Sequence, residues 1–221
     1  MRPLPIILLA VVLIVASCAT GQKKRIAGPA VDQDRRVAEG NVPSLTPPKA
    51  SDDQWSRGLV GEWESSAESD LGRFKSWAKG RGRMVAELGL GGQFLIMRME
   101  GRATDISDEY TDYLRQTQHA SEDNIRRLQD LPFEHLELQT TDPKTGQIVA
   151  YLFDSWRCVA KGTGKREGRK EVLQWEWSVA GQGTSVRTTE KVSDDRLAIV
   201  ERYTMPDGAT MEDRTQMIRK R

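Results

Sequence analysis

From residue 51 onward, short runs of alternating apolar and polar residues predict β-strands separated by turns rich in Gly, Pro and Asp. The clearest hairpin joins the run that begins at Phe133 to the run 148–153 through the turn Asp142–Gly146. Helices do not alternate with strands as they do in parallel sheets. The pattern predicts a mainly β, antiparallel sandwich or barrel of about ten short strands. We assign strands to 59–67, 73–79, 83–88, 94–99, 133–138, 148–153, 156–160, 172–179, 185–192, 197–204 and 210–218.

One segment departs from this pattern, an insertion at about 104–132 that is rich in charge and poor in β-branched residues. Ser121 is placed to cap a short helix that runs to Asp130, with Ile125 and Leu128 at helical spacing. We expect this helical insertion either to cover one end of the sheet or to act as a lid over a pocket.

The N-terminus carries a different pattern, in which Arg2 precedes an apolar run from Leu4 to Val15 that ends at Val15-Ala16-Ser17-Cys18. This arrangement is typical of a bacterial lipobox, with cleavage before Cys18. The alternatives are a transmembrane anchor and a secretory signal cleaved elsewhere. A run of about 13 apolar residues is shorter than the roughly 20 that span a bilayer as a helix.

We therefore expect residues 1–17 to be a signal peptide and Cys18 to carry the lipid that anchors the protein to a membrane. Residues 18–50 are polar, contain four prolines and predict a flexible tether. Residues 51–221 are predicted to form the folded domain. Ala19 is not the aspartate that resembles an inner-membrane retention signal, so the expected location is the outer membrane, facing the periplasm.

The charge balance excludes one class of partner. The chain has 33 Lys and Arg against 32 Asp and Glu. Removal of Arg2 with the signal peptide leaves 32 of each. A nucleic-acid binder needs an excess of basic residues, and we expect none to bind here.

Lipidation of Cys18 leaves one other cysteine, Cys158, so no intramolecular disulfide is expected. Cys158 is predicted to be a buried, unreactive thiol on a strand. The alternative is a reactive thiol whose pKa is lowered by Arg157 and Lys161.

Few residues indicate catalysis or metal binding. His119 and His135 are the only histidines, and neither has the spacing of a metal site, so we expect both at the surface or rim. Gly162-Thr163-Gly164-Lys165 lacks the spacing of a phosphate-binding loop and predicts a solvated basic hairpin tip, with contact to anionic lipid or polysaccharide as the alternative. No catalytic residue, metal or cofactor is predicted.

Four tryptophans are candidates for lining a barrel interior. In Trp175-Glu176-Trp177 the two indoles lie on one face of a strand. Core packing is the simple explanation, and an apolar ligand cavity is the alternative. The candidate lining residues are Trp77, Trp156, Trp175 and Trp177.

The motif Gly61-Glu62-Trp63 resembles the Gly-x-Trp opening of calycins, the lipocalin-like barrels. The chain more specifically resembles an uncharacterised bacterial calycin-like family, over residues 55–103 and 146–219. The features that carry this resemblance are Gly-x-Trp, the Gly-rich segment before Phe94–Met99, the series Tyr151, Phe153, Asp154 and Trp156, and the basic end at Arg214–Arg221. The insertion departs from the family, which has no settled activity.

The resemblance implies an up-and-down barrel of about 8–10 strands in which Trp63 closes one end beneath an arginine of the last strand, Arg214 or Arg219. Related haem-binding barrels need an axial histidine on a late strand. His119 and His135 lie in or beside the insertion, so haem is not expected.

Three functions follow as hypotheses. The first is a lipid-anchored envelope barrel that binds a small apolar or amphipathic ligand. The second is a structural or interaction lipoprotein with a solid barrel and an unknown protein partner. The third is an enzyme, which would need a cluster of polar residues that are close in space but far apart in the sequence.

Overall fold

The computed structural model of the protein describes residues 52–70, 77–117, 121–123, 125–126, 132–155, 157–179, 182–206 and 208–221. For residues 77, 113, 114 and 179 it describes the backbone alone. The predicted signal peptide and tether, His119 and Trp156 lie outside the described residues.

Ten strands form one closed antiparallel barrel, and two helices accompany them in the described parts of the chain. The helices are α1 (Gln54–Arg57) and α2 (Asp108–Thr117). The strands are β1 (Gly61–Asp70), β2 (Trp77–Gly89), β3 (Phe94–Ile106), β4 (Phe133–Thr141), β5 (Ile148–Asp154), β6 (Cys158–Glu167), β7 (Lys170–Val179), β8 (Gly183–Ser193), β9 (Arg196–Thr204) and β10 (Thr210–Arg219).

Each strand pairs with its neighbours in chain order, and β1 pairs with β10 to close the ring. The prediction of an up-and-down, calycin-like barrel with a short helical insertion is confirmed. Because the ring is closed, the sheet has no edge strand, and every strand has a hydrogen-bonded neighbour on both sides.

Two local predictions were wrong. Residues 77–79 of the first predicted strand and the whole predicted strand 83–88 belong to one strand, β2, which runs through both glycines between them. Residues 73–76 lie outside the described residues. The predicted hairpin tip at Gly162–Lys165 lies inside β6, and the chain turns instead at Gly168, where φ is +57°. Gly162 and Gly164 serve close packing inside the strand, because a Cβ at Gly164 would lie 1.9 Å from the Val172 carbonyl oxygen.

The barrel has two different ends. We call the end beside α1 the sealed end and the end where the β3–β4 connection with α2 leaves the insertion end. Inside the sealed half lies the main apolar core, packed beneath Trp55 of α1. Its buried members are Trp55, Leu59, Trp63, Met84, Ala86, Leu95, Met97, Leu197 and Met217.

The insertion end is covered at least in part by the connection that the sequence singles out. Tyr110 of α2 is 1% exposed, and Ile125 is 7% exposed. Residues 122–123 and 125–126 are helical, and the Ile125 amide donates to the Ser121 carbonyl at 3.0 Å, as expected for a helix that begins near Ser121.

Candidate functional site in the barrel lumen

The sealed end is held shut by contacts around Trp63. The Trp63 indole N–H donates to the Leu59 carbonyl at 2.8 Å, which fixes the ring beneath the turn that follows α1. The Arg219 guanidinium carbon lies 4.2 Å from the centroid of the Trp63 ring. The same guanidinium donates to the carbonyls of Gly58 at 2.6 Å and Val60 at 2.5 Å. The end of β10 is thus tied to the start of β1.

Of the two arginines that the resemblance offered for this contact, the structure places Arg219 over Trp63. Arg214 lies on the outer face, 2.5 Å from the Glu212 carboxylate. The reason is the two-residue period of a strand, which puts residues five positions apart on opposite faces.

Helix α1 is latched onto the sealed end by charged groups. Asp53 caps the helix by accepting from the Trp55 amide at 3.0 Å, and it also forms an ion pair with Arg166 of β6. Burial would raise the pKa of Asp53, but the hydrogen bond from Ser56 and the charge of Arg166 outweigh it and leave the pKa lowered. The Lys191 ammonium lies 4.5 Å from the centroid of the Trp55 ring and donates to the Trp55 carbonyl at 2.9 Å.

The middle of the lumen contains a buried ion pair that reasoning from the sequence missed. Arg187 of β8 donates to the Glu137 carboxylate of β4 at 2.5 and 2.8 Å, and both side chains are almost fully buried. Gln139 donates to Glu137 at 2.7 Å and to Glu171 at 3.2 Å, and Arg166 donates to Glu171 at 2.7 Å. A connected polar network therefore crosses the middle of the lumen.

The pKa of the Glu137 carboxyl is set by opposing effects. Burial alone would raise it, but the charge and hydrogen bonds of Arg187 outweigh burial and leave it lowered. Burial would likewise lower the pKa of Arg187, yet the Glu137 carboxylate leaves it raised. Both groups are therefore charged at neutral pH, and each compensates the other.

A second polar group lies in the insertion half. The Trp177 indole donates to the Ser185 hydroxyl at 2.9 Å, and that hydroxyl donates to the Glu201 carboxyl at 2.6 Å. Burial raises the pKa of Glu201 in spite of the nearby charge of Arg187. The Tyr203 ring lies 6.0 Å from the Trp177 ring, centroid to centroid. Burial and the charges of Glu201 and Asp213 raise the pKa of Tyr203 well above 10.

The opposite wall of this half carries mainly small side chains, although the larger Ile106 lies beside Ala78. In the ring of ten strands β2 is opposite β7, the strand of Trp175 and Trp177. The inward positions of β1, β2 and β3 near the insertion end are Ser65, Ala67, Ser69, Ala78, Gly80, Gly82, Gly101 and Ala103, which pair with one another across the strands. Large side chains on one wall thus face small ones on the other.

The candidate tryptophans have different positions. Trp175 is 1% exposed, lies 4.8 Å beneath the Arg187 guanidinium and packs on Gly162, where a Cβ would be 2.8 Å from its Cε3 atom. Trp177 is half-buried and faces the insertion half. Trp77 begins β2, and only its backbone is described. Trp156 lies outside the described residues.

A small cavity of about 40 Å³ lies in the sealed half. Four methionines, one histidine and charged groups of the central network are among its lining residues, which include Met84, Met97, Met99, Met217, His135, Glu137 and Arg187. A water molecule needs about 10–15 Å³ of such space. This cavity is too small for a fatty acid.

His135 is not the rim residue that the sequence predicted. Its side chain points into the barrel, packs edge-on against Phe133 at 5.7 Å between ring centroids, and is half-buried. Burial lowers its pKa to about 4, against a smaller opposing effect of Glu137. The alternation of β4 explains the error, because His135 shares the face of Phe133, Glu137 and Gln139.

Cys158 is 2% exposed, as expected for a buried thiol. Burial and the neighbouring Asp154 carboxylate raise the pKa of Cys158 to about 12. The alternative of a reactive thiol activated by Arg157 and Lys161 is therefore wrong, since the thiolate is disfavoured at neutral pH.

Within the described residues, no group of three or more His, Cys, Asp and Glu side chains is arranged to hold a metal ion. In the same part of the chain, no helix has the length and apolar character needed to cross a membrane.

No family model matches the chain, and no curated protein matches it. Among solved structures, Rv2717c from M. tuberculosis is similar over 79% of this chain and 100% of its own, with a TM-score of 0.56 and 13% identity. The S-type phycobiliprotein lyase CPES from Guillardia theta is similar over 76% and 91%, with a TM-score of 0.47 and 10% identity. The protein EF1p2_mFAP2b bound to DFHBI is similar over 75% and 96%, with a TM-score of 0.37 and 10% identity. At 13% identity the first similarity extends to the fold alone.

Proposed function

We propose that this protein is a lipid-anchored protein of the bacterial envelope whose barrel binds a small amphipathic ligand in the insertion half of its lumen. The observation that carries the binding proposal is the pairing of a wall of small residues with a wall of aromatic and polar groups. The apolar part of a ligand would lie against Ala67, Gly80 and Ala103. Its polar part would reach Ser185, Glu201 and Tyr203.

The sealed half is not available to such a ligand. Its cavity of about 40 Å³ lies among packed methionines beneath α1. Ligand pockets for molecules of drug size are about 300–1,000 Å³. A ligand of the proposed class therefore enters from the insertion end, where the β3–β4 connection would have to yield or remain partly open.

The proposed ligand site is tested by filling the small wall. Ala67→Leu and Ala103→Leu each add side-chain volume to the insertion half, and Ala198→Leu adds the same volume on the outer face of β9. We expect dodecanoate to quench tryptophan emission of the wild type and of Ala198→Leu. The two lumen variants should quench at least tenfold more weakly at the same ligand concentration.

Native mass spectrometry of protein extracted from its own membranes is a second readout. A bound small amphiphile in the wild type, lost from both lumen variants, supports the proposal. Equal quenching in all four proteins, or no bound mass and no quenching at all, contradicts it.

The proposed anchor is supported by the lipobox at Val15–Cys18 and the polar segment that follows it. We expect metabolic labelling with an alkyne fatty acid to mark the wild type and Cys158→Ser but not Cys18→Ser. Density fractionation of the labelled envelope should place the protein with the outer membrane. Label on Cys18→Ser, or a soluble wild type, would rule the anchor out.

A second candidate function is favoured by the outer face of β3, β4 and β5, where apolar side chains lie beside one another in the register of the sheet. They are Ile96, Leu136, Leu138, Tyr151 and Phe153. Tyr151 is 43% exposed and Phe153 is 42% exposed. Exposed apolar patches of this kind mark interaction surfaces. The protein would then be an interaction lipoprotein, and a photo-crosslinker at position 153 should capture one envelope protein in membranes, even from the lumen-filled variants.

A further inference from the structure

The methionines of this chain are unevenly distributed. The chain has seven methionines, and four of them line the cavity of about 40 Å³ in the sealed half. Those four are Met84, Met97, Met99 and Met217. Met84, Met97 and Met217 belong to one buried cluster, and Met99 packs against it. Methionine fills irregular gaps in apolar cores, and its thioether sulfur is also a ligand for soft metal ions.

The register of the sheet places an imidazole beside these thioethers. Met84 of β2 is the cross-strand partner of Met99 of β3, and Met99 is the cross-strand partner of His135 of β4. All three side chains line the cavity. Directly opposed residues in an antiparallel pair have Cβ atoms about 4.5–5.5 Å apart, so flexible side chains on such a row can converge on one point.

The imidazole is available for coordination. His135 is half-buried, its ring packs edge-on against Phe133, and no hydrogen bond joins the imidazole to any described side chain. An imidazole binds a metal through an unprotonated ring nitrogen. A ring nitrogen that lines a cavity with thioether sulfurs has the composition of a soft-metal site.

Met99 and His135 also border a groove of about 590 Å³ on the other side of the sheet, beside Arg98 and Phe153. Because β3 and β4 are paired at these two residues, the inner cavity and the groove are separated by one layer of sheet.

We propose that the sealed half of the lumen is a binding site for a soft monovalent metal ion, Cu(I), held by thioether sulfurs of Met84 and Met99 and the imidazole of His135, with Met97 and Met217 completing the shell. Thioethers select Cu(I) over Zn²⁺, Mg²⁺ and Ca²⁺, which prefer thiolate, imidazole or oxygen ligands. The cavity volume suits an ion and excludes a porphyrin. Glu137 and Arg187 line the same cavity as an ion pair, so their opposite charges largely cancel near the ion.

This site is separate from the proposed ligand site, which lies in the insertion half, so either proposal can fail without the other. Reasoning from the sequence did not find it, because it searched for histidine, cysteine and carboxylate spacings. Four methionines on three different strands have no short motif, and only the register brings them together.

The experiment is an anaerobic titration of the purified full-length protein with Cu(I) in competition with a chromophoric Cu(I) chelator. We expect one Cu(I) per chain. Met84→Leu, Met99→Leu and His135→Gln should each weaken binding at least tenfold. Met211→Leu is the matched control, because Met211 is also buried and inward but lies at the insertion end, and it should bind as the wild type does.

Cysteine thiolates are the competing Cu(I) ligands, so Cys18→Ser and Cys158→Ser are titrated in parallel. Both variants are expected to bind Cu(I) as the wild type does. X-ray absorption of the Cu(I)-loaded wild type should show sulfur and nitrogen neighbours. In methionine-methyl NMR spectra, Ag(I), which has no accessible redox chemistry here, should shift four of the methyl signals. Circular dichroism checks that each variant is folded.

Three results would overturn the proposal. The first is no Cu(I) retained against the chelator by the folded wild type. The second is unchanged affinity in the Met84→Leu/Met99→Leu double variant. The third is loss of Cu(I) from either cysteine variant together with the absence of methionine-methyl shifts.

Discussion

Arg187 and Glu137 meet inside the barrel from strands that are not neighbours, joined by two hydrogen bonds of 2.5 and 2.8 Å. A lumen filled only with apolar side chains would need neither charge. Because both groups are largely removed from water, each charge needs the other, and removing one partner leaves the other uncompensated.

Arg187→Met should lower the free energy of unfolding by about 3–5 kcal/mol, because the Glu137 carboxylate is then buried without its counter-charge. The Arg187→Met/Glu137→Met double variant should recover part of this loss. Urea unfolding followed by circular dichroism measures both. The control is Arg98→Met, which removes an exposed pair with Glu87 and should cost about 1 kcal/mol or less. Equal losses of stability in Arg187→Met and Arg98→Met would show that the buried pair contributes no more to stability than the exposed pair.

Arg219→Ala should destabilise the protein by about 1–3 kcal/mol, since it removes the contact with the Trp63 ring and three hydrogen bonds to the carbonyls of Gly58, Val60 and Asp194. Arg214→Ala removes an exposed pair and should change the free energy of unfolding by less than about 0.5 kcal/mol. A double-mutant cycle that combines Arg219→Ala with Trp63→Phe isolates the coupling free energy between these two side chains. A larger effect at Arg214 would refute closure of the sealed end by Arg219.

Glu201 makes a pH-dependent contribution to stability. Its pKa is raised in the folded chain, so the folded state keeps a proton over a range in which the unfolded state has lost it. The contribution of Glu201 to the free energy of unfolding therefore falls as the pH rises from about 4.5, the usual pKa of this group, toward its raised pKa. Above the raised pKa the contribution no longer changes with pH.

Glu201→Gln should remove that fall. His135 contributes in the opposite direction between pH of about 4 and 6.5, but it is present in both proteins and cancels in the difference. Urea midpoints of the wild type and the variant from pH 4 to 8 measure the difference directly. A difference that does not change with pH would contradict the assignment.

Asp53→Ala should open the sealed end locally, because Asp53 caps α1 and pairs with Arg166. Loss of an N-cap costs about 0.5–2 kcal/mol, and here the ion pair is lost with it. We expect faster hydrogen exchange at the Trp55 amide and a red shift of its emission, with little change in the amides of β6. The matched control is Asp52→Ala, whose side chain is fully exposed and 3.5 Å from Arg57. Identical exchange in the two variants would exclude a latch at Asp53.

The strand pattern sufficed for the fold, because each hairpin is local and ten strands joined in order close most simply into an up-and-down barrel. The inward faces were harder to predict. In β8 the apolar residues Val186 and Val192 suggest one face, yet Val186 is 44% exposed and Val192 is 53% exposed. The inward face carries Ser185, Arg187 and Thr189. In most antiparallel sheets with one buried face, the apolar residues of a strand face the core, whereas in β8 polar residues face the lumen.

The candidate site was predicted only in part. Trp175 and Trp177 share an inward face, as alternation requires, but their polar partners Ser185 and Glu201 come from β8 and β9. The pair Arg187–Glu137 joins residues fifty positions apart, a separation at which no local pattern carries information. The pairing of Met84 with Met99 depends on the register of β2 with β3. A shift of one residue would turn these side chains to the outer face.

The pairing of β1 with β10 has a consequence for how the protein reaches its location. The two strands form eight cross-strand pairs, from Trp63 with Arg219 to Asp70 with Glu212. The ring cannot close until β10, the last strand of the barrel, is available to β1. On the export route proposed above, the barrel therefore stays open until β10 has been translocated, and the pairing of β10 with β1 is the step that seals the lumen.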